Sequence, residues 1–179
     1  MLKGTFFLAG AYGVGKSTIG MKLSAKTSIP FFSAGNLISE INGEEYGANK
    51  VVKNKDLNQS ILIERVCELH RKHHKIILAG HFCIFGKENA IETLPDFVFD
   101  RLSLVKIILL EANPCVISEF LQQRDNKVYS ADILKDLAKR EKKQALKIAQ
   151  RLNCPFSEYQ MSFTDTDLTA LLKLMEDET

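Results

Sequence analysis

Residues 10–17 read GAYGVGKS, and this short segment constrains the fold more than any other feature of the chain. It fits the pattern G-x-x-x-x-G-K-[ST] at every fixed position. It follows the apolar run TFFLA at 5–9 and precedes a helical pattern from 16 to about 26. A glycine-rich turn between a strand and a helix points backbone N–H groups inward, and the helix N-terminus favours an anion there. The segment therefore predicts a phosphate-binding loop (P-loop) for a nucleoside triphosphate.

The residue types of this motif suit the binding of Mg-ATP. The glycines let the backbone curl around phosphate, Lys16 can reach the β- and γ-phosphates, and the Ser17 hydroxyl can ligate Mg²⁺. We expect ATP and Mg²⁺ as cofactors, with Lys16 as a catalytic residue and Ser17 as the metal ligand. The expected ATP-binding residues are Gly10, Ala11, Tyr12, Gly13, Val14, Gly15, Lys16, Ser17 and Thr18.

Apolar runs alternate with helical patterns along the rest of the chain. Runs that are apolar throughout, each followed by a helix, indicate parallel strands buried on both faces, and hence an α/β three-layer sandwich. A length of 179 residues fits a single domain spanning 1–179. The predicted strands are 5–9, 29–33, 76–79, 105–110 and 155–159, and the predicted helices are 16–26, 57–73, 115–123, 131–152 and 165–176.

Composition and charge exclude several kinds of protein. The chain is 45% hydrophobic and 26% charged, which is typical of a folded globular protein. A net charge of +2 is too small to indicate nucleic acid or a membrane surface as a partner, and no apolar run reaches the roughly 18 residues of a membrane span. The four cysteines form no C-x-x-C or Cys/His cluster, which argues against zinc and favours reduced thiols in a cytoplasmic protein.

A P-loop alone does not say what is done with the nucleotide. Large AAA, helicase and transporter ATPases need a longer chain than this one. GTPases need a base-reading N-K-x-D motif, whereas residues 126–129 read NKVY and lack the aspartate. A P-loop chain of 179 residues with few insertions therefore suggests a small-molecule kinase.

In the order and spacing of its motifs, the chain resembles the nucleoside monophosphate kinase family, most closely the archaeal-type adenylate kinases, over about residues 4–160. The resemblance implies a P-loop NTPase fold with a five-stranded parallel sheet in the order 2-3-1-4-5. It also implies transfer of the γ-phosphate of Mg-ATP to a nucleoside monophosphate. The segments that carry it are GAYGVGKST at 10–18, FSAGNLISE at 32–40, Arg65, AGHF at 79–82, LPDFVFDRL at 94–102, ILLEANPCVI at 108–117, Arg124-Asp125 and the helix 131–152.

The same resemblance implies an acceptor-binding side at about 33–66. Gly35 and Asn36 follow the second strand, where the family contacts the acceptor. Arg65 stands at the family's helix position for an acceptor-phosphate arginine. It also falls in an apolar stripe, which is typical of an arginine that pairs with an anion or extends its charged end to solvent. His81 ends the third strand, where ligands bind in open α/β sheets, and completes the predicted acceptor site.

A small lid is expected at about 122–132. The polar segment QQRDNKVYS (122–130) is predicted to be a loop whose Arg124 closes over ATP and neutralises charge on the transferred phosphoryl group. Arg140 is a second catalytic candidate. Glu141 lies on the apolar stripe of helix 131–152, and we expect it to cover a helix edge, the alternative being that it faces the active-site cleft. The segment 42–56 has no apolar periodicity and is predicted to be another loop near the ligand.

One position departs from the family pattern and weakens the expected metal site, and the segment 42–56, which is not a family signature, leaves the acceptor open. The family's third strand ends with an aspartate that helps to arrange Mg²⁺, whereas residues 76–81 read IILAGH and contain no carboxylate. The first expectation is a kinase for a small-molecule nucleotide. The alternatives are a kinase for another small molecule, such as a sugar acid, a shikimate-like hydroxyl compound or a nucleoside, and an ATP-binding switch that regulates a protein partner.

Overall fold

The computed structural model describes residues 4–42, 55–126 and 128–176. Within these ranges the strands are β1 (Gly4–Gly10), β2 (Phe31–Ser33), β3 (Lys75–Ala79), β4 (Cys83–Phe85), β5 (Ile91–Thr93), β6 (Leu104–Glu111) and β7 (Phe156–Gln160). The helices are α1 (Lys16–Thr27), α2 (Ala34–Asn42), α3 (Lys55–Lys72), α4 (Asp96–Asp100), α5 (Pro114–Asp125), α6 (Ala131–Leu152) and α7 (Thr166–Glu176). No helix within the described ranges is long and apolar enough to span a lipid bilayer.

The central sheet has five parallel strands in the order β2-β3-β1-β6-β7. The hairpin formed by β4 and β5 lies outside this sheet, so the order equals the predicted 2-3-1-4-5 once the hairpin strands are counted. The predicted α/β P-loop NTPase fold is therefore confirmed. Parallel strands end at the same edge, and the carboxyl edge of this sheet carries the P-loop directly after β1.

Burial on both faces explains why the strands are apolar throughout. Every residue of β1 is buried. Phe7 and Ala9 face a core built with α2, α3, α4 and the second half of α6. Phe6 and Leu8 face a second core built with α1, α5, α7 and the first half of α6. The two cores hold the sheet as the middle of three layers.

The long helix α6 ends where the sequence pattern predicts. The Ser130 hydroxyl accepts a hydrogen bond from the Ile133 amide at 3.3 Å and caps its N-terminus. Asn153 adopts a left-handed conformation with φ of 49° and ends it. These caps account for the observed Ala131–Leu152 span and confirm the predicted helix 131–152.

Three short elements and one boundary differ from the predictions. Helix α2, helix α4 and the β4–β5 hairpin were not predicted, because each strand of the hairpin has three residues and α4 has five, too few to show a periodicity. The prediction of a loop from residue 122 was wrong, because α5 continues to Asp125. Of the loop predicted at 42–56, residues 43–54 lie outside the described residues.

Candidate active site

The turn between β1 and α1 has backbone geometry that requires glycine. Gly10 has φ of +145°, and a Cβ there would lie 2.4 Å from the Leu110 carbonyl oxygen. Gly15, with φ of +89°, adopts a left-handed conformation directly before α1. The loop is therefore curled between strand and helix, as a phosphate-binding loop must be.

Lys16 is held against the loop by its own backbone. Its Nζ donates hydrogen bonds to the carbonyl oxygens of Gly10 at 2.7 Å and Ala11 at 2.8 Å. Ser17 is exposed, and both side chains line one large cavity at the carboxyl edge of the sheet. The cavity has a volume of about 810 Å³ and extends from the P-loop to the ends of β2 and β3, the first turns of α3 and the turn after β7.

An aromatic stack packs the P-loop against the end of β3. The Tyr12 ring lies 4.2 Å from the His81 ring and stacks on Phe85 at 5.3 Å. Phe85 stacks in turn on Tyr129 at 5.3 Å with an interplanar angle of 8°. Burial raises the pKa of Tyr12, so the phenol stays neutral. Tyr12 therefore fixes the position of the loop relative to β3 and β4.

Glu141 is buried behind the P-loop, with 1% of its surface exposed. Its carboxylate accepts hydrogen bonds from the backbone amides of Gly10 at 3.1 Å, Phe82 at 2.9 Å and Cys83 at 2.7 Å. Burial raises the pKa of Glu141 to about 7, while these N–H groups and the charge of Lys16 oppose the rise.

The expectation that Glu141 covers a helix edge was wrong. The alternative, that Glu141 faces the active-site cleft, does not hold either, because Glu141 lies behind the loop and does not line the large cavity. A carboxylate in an apolar stripe must be paired when it is buried, and here backbone amides 58 to 131 residues away provide the partners. Glu141 thus places a carboxylate near the end of β3, where it accepts hydrogen bonds from the backbone amides of Phe82 and Cys83.

The predicted acceptor side brings together residues from α2, from α3 and from the segment after β3. The predicted Gly35, Asn36 and His81 line the cavity. Asn58 and Gln59, near the start of α3, also line it and are 1% and 4% exposed, but they were not predicted. Two adjacent amides just before the apolar pair at 61–62 are the sequence signal that could have identified them.

Arg65 is not placed in the cavity. Its Nη1 bonds Glu68 at 2.6 Å and its Nη2 bonds Glu40 at 3.2 Å. The anions that pair with this arginine in the structure are thus carboxylates of the chain itself. A role for Arg65 in binding an acceptor phosphate stays a prediction.

The two arginines predicted to be catalytic occupy different surroundings. Arg124 is exposed in the last turn of α5 and lines the cavity on its P-loop side. Arg140 is exposed on α6, pairs with Asp136 at 3.1 Å and does not line the cavity. Only the first of the two is therefore positioned to reach a bound nucleotide in this conformation.

The turn after β7 adds an aromatic wall that was not predicted. Phe163 has φ of +59°, packs beside Gly15 and meets Phe120 edge-to-face at 4.9 Å. Asp167, 1% exposed, accepts hydrogen bonds from the Phe163 amide at 2.7 Å and the Tyr159 hydroxyl at 2.9 Å. Burial would raise the pKa of Asp167, but the hydrogen bonds it accepts outweigh burial and lower it. The ionised Asp167 thus holds the unusual Phe163 backbone in place.

Few side chains of the described cavity could act as ligands for Mg²⁺. Within the described ranges, no group of three or more His, Cys, Asp or Glu residues could hold a metal ion. Two acidic side chains line the described cavity. The carboxylate of Asp167 accepts hydrogen bonds from backbone amides of the turn after β7, and Asp165 pairs with Lys22 at 3.6 Å. The exposed Ser17 hydroxyl fits Mg²⁺ only together with nucleotide phosphates and water, which is a common arrangement for this ion.

Several solved structures share this fold at low sequence identity. A shikimate kinase from Acinetobacter baumannii, in complex with shikimate, has a TM-score of 0.66 at 15% identity, with 99% of this chain and 95% of that chain covered. A shikimate kinase from Bacteroides thetaiotaomicron has a TM-score of 0.58 at 17% identity, with 97% and 96% covered. A gluconokinase from Sinorhizobium meliloti has a TM-score of 0.54 at 12% identity, with 99% and 98% covered. Identities this low show a common fold alone.

None of these three structures is an adenylate kinase by name, so the finer resemblance to that family stays a prediction. No curated protein sequence matches the chain significantly. A family model described as an AAA domain matches residues 9–138. Because the match spans well over half of the chain, the protein belongs to the AAA domain family.

Proposed function

We propose that the protein is an ATP-dependent phosphotransferase that acts on a small-molecule acceptor. The observation that carries the proposal is one continuous cavity, which joins the P-loop to a second half lined from β2, α2, α3 and the end of β3. A nucleotide switch needs the first half only. A kinase needs both, because the acceptor must lie next to the γ-phosphate.

The P-loop half has groups for each part of ATP. The backbone of residues 10–17 and Lys16 would hold the phosphates, and Ser17 would ligate Mg²⁺, which neutralises phosphate charge. Phe163 and Phe120 are each 38% exposed beside the P-loop, and aromatic faces of this kind stack on bases. We assign the nucleotide base to this wall.

Phosphoryl transfer then requires positioning and charge neutralisation. The acceptor oxygen forms a bond to the γ-phosphorus while the bond from that phosphorus to the β–γ bridging oxygen breaks, and ADP leaves with the electron pair. His81 lies two residues after the end of β3 and lines the cavity, and we assign the acceptor's hydroxyl proton to it. Arg124 would neutralise charge on the transferred group from the opposite side.

The acceptor is better described as a small hydroxyl compound than as a nucleoside monophosphate. The similar structures are named as shikimate kinase and gluconokinase, and they support a small-molecule acceptor. Arg65, the residue expected to bind an acceptor phosphate, pairs with Glu40 and Glu68. A nucleoside monophosphate stays the second candidate, supported by the position of Gly35 and Asn36 at the cavity.

ADP release with and without added acceptors tests the proposal. We expect at least one hydroxyl compound to stimulate ADP release, and we expect Lys16→Ala to abolish the stimulation. Lys26→Ala is the matched control, because Lys26 is exposed in the last turn of the same helix and lies away from the cavity. Slow hydrolysis that no acceptor stimulates would contradict a kinase and favour the regulatory switch.

A further inference from the structure

The acceptor half of the cavity has an apolar floor. Its apolar side chains come from β1, α2, α3, α4 and the segment that joins β3 to β6. An apolar floor can pack against the face of a ring, but it offers a charged group neither a hydrogen bond nor an opposite charge. The main contributors are Phe7, Ile38, Leu62, Leu94, Val98 and Phe99.

The polar side chains described in this half are hydroxyl, amide and imidazole groups. Ser33, Asn36, Asn58, Gln59 and His81 line it, and among the described residues no Lys, Arg, Asp or Glu side chain does so. The charged side chains that line the described cavity belong to α1, α5, the turn after β7 and the first turn of α7. Binding a carboxylate or phosphate against the apolar floor would therefore leave its charge buried without a counter-ion from the described residues, which is costly.

Gln59 supplies the second observation. It is 4% exposed, and its Oε1 is buried with no hydrogen-bond partner among the described residues. A buried amide oxygen in this state costs free energy unless a ligand donates to it. Gln59 and Leu62 are three residues apart on α3, so an acceptor that donates to Gln59 can also lie on the floor.

We propose that the acceptor is an uncharged ring compound that donates a hydroxyl or N–H group to Oε1 of Gln59 and lies with its apolar face on the floor. Gln59 is then a specificity-determining residue, since it rejects acceptors that lack this donor. The inference rests on the proposed function and narrows its substrate class to neutral molecules such as nucleosides, sugars and cyclitols.

Matched pairs of acceptors test the charge preference. ADP release is measured with adenosine against AMP, uridine against UMP and glucose against gluconate, within a wider library of neutral and anionic hydroxyl compounds. We expect the best acceptor to be neutral and to exceed its charged counterpart in kcat/KM. A best acceptor that carries a phosphate or carboxylate overturns the inference but leaves the kinase proposal intact. No stimulation by any compound contradicts the proposed function, and this inference with it.

Gln59→Met tests the residue, because methionine keeps the length and removes the acceptor oxygen. With the best neutral acceptor we expect kcat/KM to fall about 10- to 100-fold, mainly through KM of the acceptor. Gln144→Met is the matched control, since Gln144 is also buried but bonds Asp96 outside the cavity. Gln59→Asn keeps an uncharged amide oxygen on this face of α3 and is expected to retain more activity than Gln59→Met. Equal acceptor KM values in the Gln59→Met and Gln144→Met proteins would overturn the assignment.

Discussion

The carboxylate of Glu141, in the middle of α6, accepts a hydrogen bond from the backbone amide of Gly10 at 3.1 Å, across 131 residues of sequence. The same carboxylate bonds the amides of Phe82 and Cys83 after β3. It thus joins α6, the first residue of the P-loop and the end of β3. The Glu141 side chain therefore connects the P-loop, which lines one half of the cavity, to the segment after β3, which lines the other half.

Glu141 should make stability depend on pH. Its pKa is raised to about 7 in the folded protein from an ordinary value of 4.5. Between these values the folded state holds a proton that the unfolded state has lost. The free energy of unfolding should therefore fall as pH rises from about 4.5 through 7, by about 3 kcal/mol in total. Urea unfolding of wild type between pH 5 and 8 measures this slope.

Glu141→Gln should remove that slope, because the amide does not titrate. It should also lower stability by about 1–3 kcal/mol, since its NH₂ group faces backbone N–H donors that then lack an acceptor. Glu64→Gln is the control, because Glu64 is exposed on α3. A Glu141→Gln protein that keeps the wild-type pH slope would show that another group is responsible.

Lys16→Ala should abolish turnover and leave the fold intact. Lys16 donates hydrogen bonds to two P-loop carbonyls at the edge of the cavity and belongs to neither apolar core, so its removal should leave both cores unchanged. Loss of a charged phosphate contact should cost about 2–5 kcal/mol in transition-state binding. Steady-state kinetics and thermal unfolding, with Lys26→Ala alongside, measure the two effects. Wild-type kcat/KM in Lys16→Ala would show that the phosphate site is elsewhere.

The P-loop and the central sheet could be predicted because their signals are local. The run Ile76–Ala79 is apolar throughout since it is buried on both faces, and the glycines at 10, 13 and 15 report a backbone that other residues rarely adopt. The strand order was implied by the family resemblance, and the structure confirms that order.

The remaining site residues depend on contacts that sequence does not show. The stripe around Arg65 left two alternatives, pairing with an anion or extension of the charged end to solvent. In the structure Arg65 pairs with Glu40 and Glu68, and Glu40 lies 25 residues away in sequence. Glu141 looked like an edge residue because its partners are backbone amides of distant segments. Phe163 stands in a polar turn and faces the cavity only because its backbone adopts a left-handed conformation.

Ser17→Ala should raise the Mg²⁺ concentration needed for half-maximal turnover. Within the described residues the donor set for this ion has no uncommitted carboxylate, so the hydroxyl carries a larger share of the binding than in a site with an aspartate. Turnover measured across a Mg²⁺ titration checks this, with Ser24→Ala on the same helix as the control. Activity that persists in excess chelator would contradict a magnesium site.

Phe163→Ala should weaken ATP binding. Stacking of a base on an aromatic ring is worth about 1–3 kcal/mol, so KM for ATP should rise about 10-fold or more while kcat changes less. Phe97→Ala is the matched control, because Phe97 is a 53% exposed ring on α4 that does not line the cavity. An unchanged KM for ATP in Phe163→Ala would place the base elsewhere.

Arg124→Ala should lower kcat more than it weakens ATP binding. Arg124 stands at the C-terminal turn of α5, on the P-loop side of the cavity, where its charge can approach the γ-phosphoryl group as transfer proceeds. A contact made mainly in the transition state affects kcat, and we expect a loss of roughly 10²–10³-fold. Steady-state kinetics with the best acceptor, and ATP affinity measured separately, distinguish the two effects.

Two further arginine variants make the Arg124 result specific. Arg71→Ala is the control, since Arg71 is exposed at the end of α3 and lies away from the cavity. Arg140→Ala should lose less activity than Arg124→Ala, because Arg140 pairs with Asp136 outside the cavity. A regulatory switch would behave differently, with Arg124→Ala leaving a slow hydrolysis rate nearly unchanged. Normal kcat in Arg124→Ala with the best acceptor would remove Arg124 from the catalytic residues, and a larger loss in Arg140→Ala would transfer its role to Arg140.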